Sequence, residues 1–198
     1  VMYLIELGFD TAWSNNDDHK LCLAMAALRS GNIPLINALM DKSAIDLAQT
    51  DDKLQNCVFY ACMNKNSEVL TTIYTHAKSQ DCKCTHDLLT MPNEDGETAL
   101  HIAATYDVSI TIELLARKVI DEALQTFDNN GRTPLLTACY HISLNSIMNI
   151  LNLGVDTTVK SSKAAGVREG HNAIWWLYHP SKEALRRRRP VGSQYVER

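Results

Sequence analysis

Long hydrophobic runs are missing from this 198-residue chain. No stretch of about eighteen or more apolar residues occurs, and no amino-terminal segment combines positive charge, an apolar core and a cleavage site, so neither a membrane span nor a secretory signal is legible. Also absent are a G-x-S-x-G nucleophile turn and a glycine-rich phosphate loop, two local signatures of hydrolytic and nucleotide chemistry. A large excess of charge of either sign is also missing. The net charge of −4 offers no general attraction for nucleic acid, and Arg186 to Arg189 form the only basic run. Six cysteines stand at irregular spacing in a chain too long for the small disulfide-rich class, so we expect them reduced, in cytosol or nucleus. The chain opens on Val1 rather than Met, and we expect it to be a piece of a longer protein.

What is present is a core-forming composition, 45% hydrophobic, and an internal period. The stretch DGETALHIAA, residues 95–104, places Gly96 before Thr98-Ala99-Leu100-His101 and the small pair Ala103-Ala104. The same frame recurs 35 residues later, from Gly96 to Gly131, in GRTPLLTAC with Ala138-Cys139. A weaker copy, LQNCVFYAC, lies 42 residues upstream with Leu54 in place of glycine and Ala61-Cys62 as the small pair. Fainter copies are HKLCLAMAA, aligned on His19 and Ala26-Ala27, and GHNAIWWLY, aligned on Gly170. Behind the fourth copy, Leu144, Ile147, Met148 and Leu151 form an i, i+3, i+4, i+7 stripe expected to face a core. Leu70, Ile73, Tyr74 and Ala77 do the same behind the second, with shorter versions at Ile33, Ile36, Met40 and at Ile112, Leu115, Val119.

Each unit therefore reads as turn, short helix, turn, longer helix and loop. Asp-Gly or Asn-Gly supplies a tight turn, the following Thr caps a helix, and Pro134 suits a first helical turn. Paired small residues let neighbouring helices approach closely, and no unit can bury its apolar face alone. Through NEDGETALHIAA and DNNGRTPLLTAC the chain resembles the ankyrin-repeat family. The resemblance implies an all-α solenoid of about five stacked helix-turn-helix units with hairpin loops, forming a single domain over 1–198. Its expected divisions are a half unit at 1–17, units at 18–50, 51–92, 93–127 and 128–165, and a divergent capping unit with a basic tail at 166–198. Lengthened loops are expected between Thr75 and Asn93 and before Gly170.

Individual residues invite chemistry. Cys82, Cys84, His86 and Asp87 could be zinc ligands, but C-x-C is not the usual structural zinc spacing and no second ligand pair follows, so no metal or cofactor is expected. His101 occupies the position where the family's histidine hydrogen-bonds backbone between repeats, a structural role. Asp95 and Glu97 sit at a turn tip and read as solvated acids rather than an acid/base pair. Trp175 and Trp176 read as packing residues, and the Arg186–Arg189 run as a solvated helix end, with a targeting signal or an acidic-partner contact as the alternatives.

The resemblance also implies a non-catalytic protein-binding groove made from turn tips and exposed faces of the first helices. Carried over by position, its contacts are Glu94, Asp95, Glu97, Thr105 and Tyr106; Asn129, Asn130, Arg132, Tyr140 and His141; and Asp52, Lys53, Gln55, Met63 and Asn64. The first unit adds Asp17, Asp18, Lys20, Leu28 and Arg29, with Leu28, Met63, Tyr106 and Tyr140 in equivalent places. The acids suggest a basic or amphipathic protein segment as partner. A scaffold or regulatory domain, an IκB-like inhibitor of a transcription factor, a ubiquitin-ligase adaptor, and a domain attached to an enzyme or channel are all compatible with this reading.

Overall fold

The computed structural model describes residues 14–15, 21–41, 47, 49–64, 66–79, 88–108, 121–162, 170–182 and 185–186. A two-residue antiparallel pair, β1 (Ser14–Asn15) with β2 (Leu21–Cys22), precedes helices α1 (Leu23–Ser30) and α2 (Ile33–Asp41). Then follow α3 (Cys57–Met63), α4 (Ser67–Ser79), α5 (Ala99–Tyr106), α6 (Asp121–Leu124), α7 (Pro134–His141), α8 (Leu144–Asn152) and α9 (Ala173–Tyr178). The first helices α1, α3, α5, α7 and α9 pack in sequence order, and α2 packs on α4 behind them. No helix among the described residues is long and apolar enough to cross a membrane.

Each first helix starts on a residue in extended conformation: Cys22, Asn56, Thr98, Thr133 and Asn172. Side-chain oxygens of Asn56, Thr133 and Asn172 accept from the amides of Val58, Leu136 and Trp175, satisfying one orphan donor each. Asparagine and threonine thus cap interchangeably, which is how units without the Thr-Pro-Leu-His signature keep the same start. Behind the caps the small pairs Ala61-Cys62, Ala103-Ala104 and Ala138-Cys139 are almost fully enclosed, allowing the close stacking.

The hairpins between units are built by one repeated device. Asp51 Oδ1 accepts from the amides of Lys53 and Gln55, Asn93 Oδ1 from those of Asp95 and Glu97, and Asp128 Oδ1 from those of Asn130 and Arg132. Each hairpin then bonds to its predecessor through backbone: Glu94 N–H to the Lys53 carbonyl and Asn129 N–H to the Asp95 carbonyl, both at 2.9 Å. Gly96 and Gly131 sit at φ +72° and +70°, and a Cβ on Gly131 would collide with the backbone carbonyl of Ser162 in the next hairpin. Glycine is required there both for the backbone angle and for the approach of the neighbour.

Several expectations need correction. The caps set the frame, and they place Ala27-Leu28 against Ala61-Cys62, so the first unit is aligned one residue too early on His19 and Ala26-Ala27. Leu28 is consequently core, with 0% exposure, and does not line a groove. The stripe of Leu144, Ile147, Met148 and Leu151 is also misplaced: α8 buries Ser146, Ile147 and Ile150, whereas Leu144, Met148 and Leu151 are exposed. Two small serines, Ser143 and Ser146, take inward positions that a hydrophobic pattern assigns to larger residues. Thr75 belongs to α4 rather than to a loop. Ahead of Gly170 the hairpin closes through Ser161 N–H to the His171 carbonyl, bracketing the lengthened connection. The half unit at 1–17 apart from Ser14 and Asn15, the stripe Ile112, Leu115 and Val119, and Cys82, Cys84, His86 and Asp87 lie outside the described residues.

Leu54 holds the left-handed turn position, φ 59°, that glycine holds in the next two units, and it is exposed. A branched side chain there costs about 1–2 kcal/mol. Leu54→Gly is expected to raise the unfolding free energy by about 1 kcal/mol, and Gly131→Ala to lower it by at least as much, both read from chemical denaturation midpoints.

Candidate partner-binding groove

Counting from the caps, each unit offers two kinds of position to the concave side: the returning strand of the hairpin, held by Gln55, Glu97 and Arg132, and the end of the first helix, held by Arg29, Met63, Thr105 and Tyr140. Between them lies a groove of about 560 Å³ lined by Arg29, Asp51, Lys53, Gln55, Tyr60, Met63, Glu97, Ile102, Thr105, Tyr106 and His141. Of the residues expected from the sequence, the groove unites Lys53, Gln55, Met63, Glu97, Thr105, Tyr106 and His141. Arg29, expected from the first unit, joins them. Tyr106 and Tyr140 are not equivalent, being offset by one position along their helices, and only Tyr106 lines it.

The remaining expected contacts are elsewhere. Asp52, Glu94, Asp95, Asn129 and Asn130 are exposed around the hairpin tips. Asn64 and Asn129 spend their side-chain amides on the carbonyls of Arg29 and Glu94 in the preceding unit, 2.8 and 2.9 Å away. Arg132 is a clear correction. It is 8% exposed, its guanidinium is paired with Asp128 at 2.9 Å, and its plane lies over the Tyr140 ring. An i, i+4 carboxylate inside a five-residue hairpin explains this commitment, and the Asp128–Arg132 spacing was the available signal. Tyr140 is partly packed, edge-on to Trp176. Trp175 is stacked between the imidazoles of His171 and His179, so both tryptophans are packing residues here. Asp17, Asp18 and Lys20 lie outside the described residues, as do Arg187 to Arg189, while Arg186 is exposed.

Asp51, Tyr60 and Ile102 were not foreseen as lining residues. Asp51 looks like a second groove acid but is buried and saturated: besides its two backbone amides it accepts the Tyr60 hydroxyl at 2.7 Å. Glu97 differs. Among the described residues its carboxylate receives the Asn93 side-chain amide at 3.2 Å alone, and burial pushes its pKa above the ordinary carboxylate value, the Asp128 and Asp95 charges adding to the rise while the Asn93 hydrogen bond and Arg132 oppose it. The expectation of a freely solvated acid at this position is therefore corrected. Among the described residues no group of three or more His, Cys, Asp or Glu is arranged to hold a metal.

His101 lies under this surface with 0% exposure. Its Nε2 contacts the Arg132 carbonyl at 3.0 Å, so Nε2 carries the proton and donates. Nδ1 then accepts from Thr98, from the amide at 3.2 Å and the hydroxyl at 2.9 Å. The ring thus closes the capping box of α5 and ties it to the next hairpin. Burial lowers its pKa to about 4. In the unfolded chain the value is near 6.5, so the unfolded state binds the extra proton first. The neutral ring's contribution is complete above pH 6.5 and is lost as pH falls towards 4, on the order of 3 kcal/mol in all. We expect His101→Gln to be less stable at pH 7.5 by about 2 kcal/mol and to show a shallower loss between pH 6.5 and 4 in denaturant titrations.

These features have counterparts in known proteins. Residues 58–161 match the family pattern described as ankyrin repeats, in three copies. A 117-residue stretch, 56% of the chain, is 28% identical to the ANK repeat-containing protein nipk-1 of Caenorhabditis elegans, and the match spans 19% of that protein. Stacked first helices, a capping histidine bonded to the next unit and a continuous match over more than half its length place this chain in the ankyrin-repeat family.

Proposed function

We propose that this chain is a non-catalytic protein-interaction module that holds a segment of a partner protein in its concave groove, as a regulatory or scaffold domain of a larger protein. Ankyrin repeats are in general protein–protein interaction modules. The single observation that carries the reading is the groove itself, because four consecutive units contribute to one surface: Arg29, then Lys53 and Met63, then Glu97 and Tyr106, then His141. Half-buried Met63 and Tyr106 offer adaptable and aromatic contact area, the combination that concentrates binding energy in interfaces. Neighbouring acids at the tips, Asp52, Glu94 and Asp95, support a basic or amphipathic partner. Cytosol or nucleus is the proposed setting, from the irregular cysteine spacing.

Met63→Ala combined with Tyr106→Ala should leave helical content unchanged, because both residues are only partly buried at the edge of the core and neither caps a helix, while weakening partner binding by more than tenfold. Affinity capture from cell extract with the two forms, followed by mass spectrometry, reads this as proteins retained by the parent and lost by the double variant. Identical retained sets would overturn the groove assignment.

A further inference from the structure

We propose that the groove recognises an extended segment carrying a lysine or arginine seated on Glu97, with an acidic residue of the same segment facing Lys53 or Arg29. This rests on the groove reading above and goes further by assigning the chemistry of the bound residue.

The groove's charged and titratable lining comprises Arg29, Asp51, Lys53, Glu97 and His141, with the Tyr60 and Tyr106 hydroxyls. Asp51 and Tyr60 satisfy each other and the hairpin backbone, so neither is available. Arg29 and Lys53 are exposed, and neither has an ion-pair partner among the described residues. Glu97, the other acid of this lining, is left without an ion pair among the described residues. The charges acting on it are Asp128, Asp95 and Arg132, and the Arg132 guanidinium is already held by Asp128. The field around Glu97 is therefore net negative, and a partly desolvated carboxylate with one long hydrogen bond gains strongly from a cation that supplies two or three donors. Ile102, Thr105 and Tyr106 line the same groove and can receive the alkyl stem of such a side chain.

Order along the stack gives the second half of the pattern. Arg29 belongs to the first unit, Lys53 to the second and Glu97 to the third. Packed helices are spaced about 8–10 Å apart, and an extended chain advances about 3.3 Å per residue, so about three residues of ligand span one unit. The segment then carries its acid about three residues from the cation when facing Lys53, or about six when facing Arg29.

The hairpin tolerates the substitutions that test this. The backbone position of Glu97 is held by Gln55 in the preceding unit and by Arg132 in the following one. In Glu97→Arg the residue four positions earlier is Asn93, so the introduced guanidinium lacks the i−4 carboxylate that holds Arg132, although the Asp95 and Asp128 charges remain nearby. The probe is a displayed library of random linear peptides selected against the whole chain, with counter-selection on the Met63→Ala/Tyr106→Ala form. Enriched peptides are expected to share a Lys or Arg with an acid about three or six residues away. Replacing that cation by norleucine, or Glu97 by Gln, should each weaken binding about tenfold without adding when combined. Selection against Glu97→Arg should enrich an acid at the same place. Peptides that depend on Met63 and Tyr106 but are indifferent to Glu97→Gln would overturn this assignment and leave the groove reading standing. Failure to enrich any peptide sensitive to the Met63/Tyr106 pair would overturn both.

Discussion

The hydrogen bond from one hairpin's backbone amide to the carbonyl of the hairpin before it is the constraint on which the remainder of the stack depends. Glu94 reaches Lys53 and Asn129 reaches Asp95 in this way, and Ser162 reaches Gly131 at 3.0 Å. Because donor and acceptor are both main chain, the bond makes no demand on side-chain identity. Units as unlike as DDKLQN and NEDGET can therefore follow one another at the same spacing. The demand falls instead on what brings the backbones close: an Asp or Asn accepting two amides inside each of these loops and a left-handed residue after the tip, Leu54 in one hairpin and glycine in the next two. His101 performs the same joining at the level of the helix by donating to the Arg132 carbonyl.

Freed from holding the stack, the outward side chains can vary, and their variation makes the groove. One backbone position is Gln55, then Glu97, then Arg132 in three successive units. The arginine is cancelled by its own loop, the glutamine is neutral, and the glutamate has no ion-pair partner among the described residues. Under the proposed reading, the charge this surface offers a partner depends on which hairpin carboxylates are consumed internally. Asp51 and Asp128 are consumed and Glu97 is not.

Much of this was legible in the sequence wherever a turn had a specific chemistry. Asp-Gly and Asn-Gly at the hairpins and Thr98 and Thr133 at the caps mark where the helices of two units start, yet of the contacts derived from those units only Glu97, Thr105, Tyr106 and His141 line the groove. The first unit lacks those marks: it starts on Cys22, without a side-chain cap bond, so its sequence leaves the register open by one residue, the difference between Leu28 at the surface and Leu28 in the core. In α8 the apolar period pointed to the wrong face, because hydrophobicity cannot register that Ser143 and Ser146 are small enough to pack. Asp51, Tyr60 and the fate of Arg132 depend on pairings within a loop, which composition of the exposed tip does not disclose.

The central claim, that main-chain bonds between hairpins set the register of the stack, is tested most directly by native-state hydrogen exchange at the amides of Glu94 and Asn129. Both residues are exposed at loop tips, yet their amides donate across units. Protection within tenfold of that of the α5 and α7 amides is the expected result. Exchange at the rate of an unstructured loop, with those helices still protected, would contradict it.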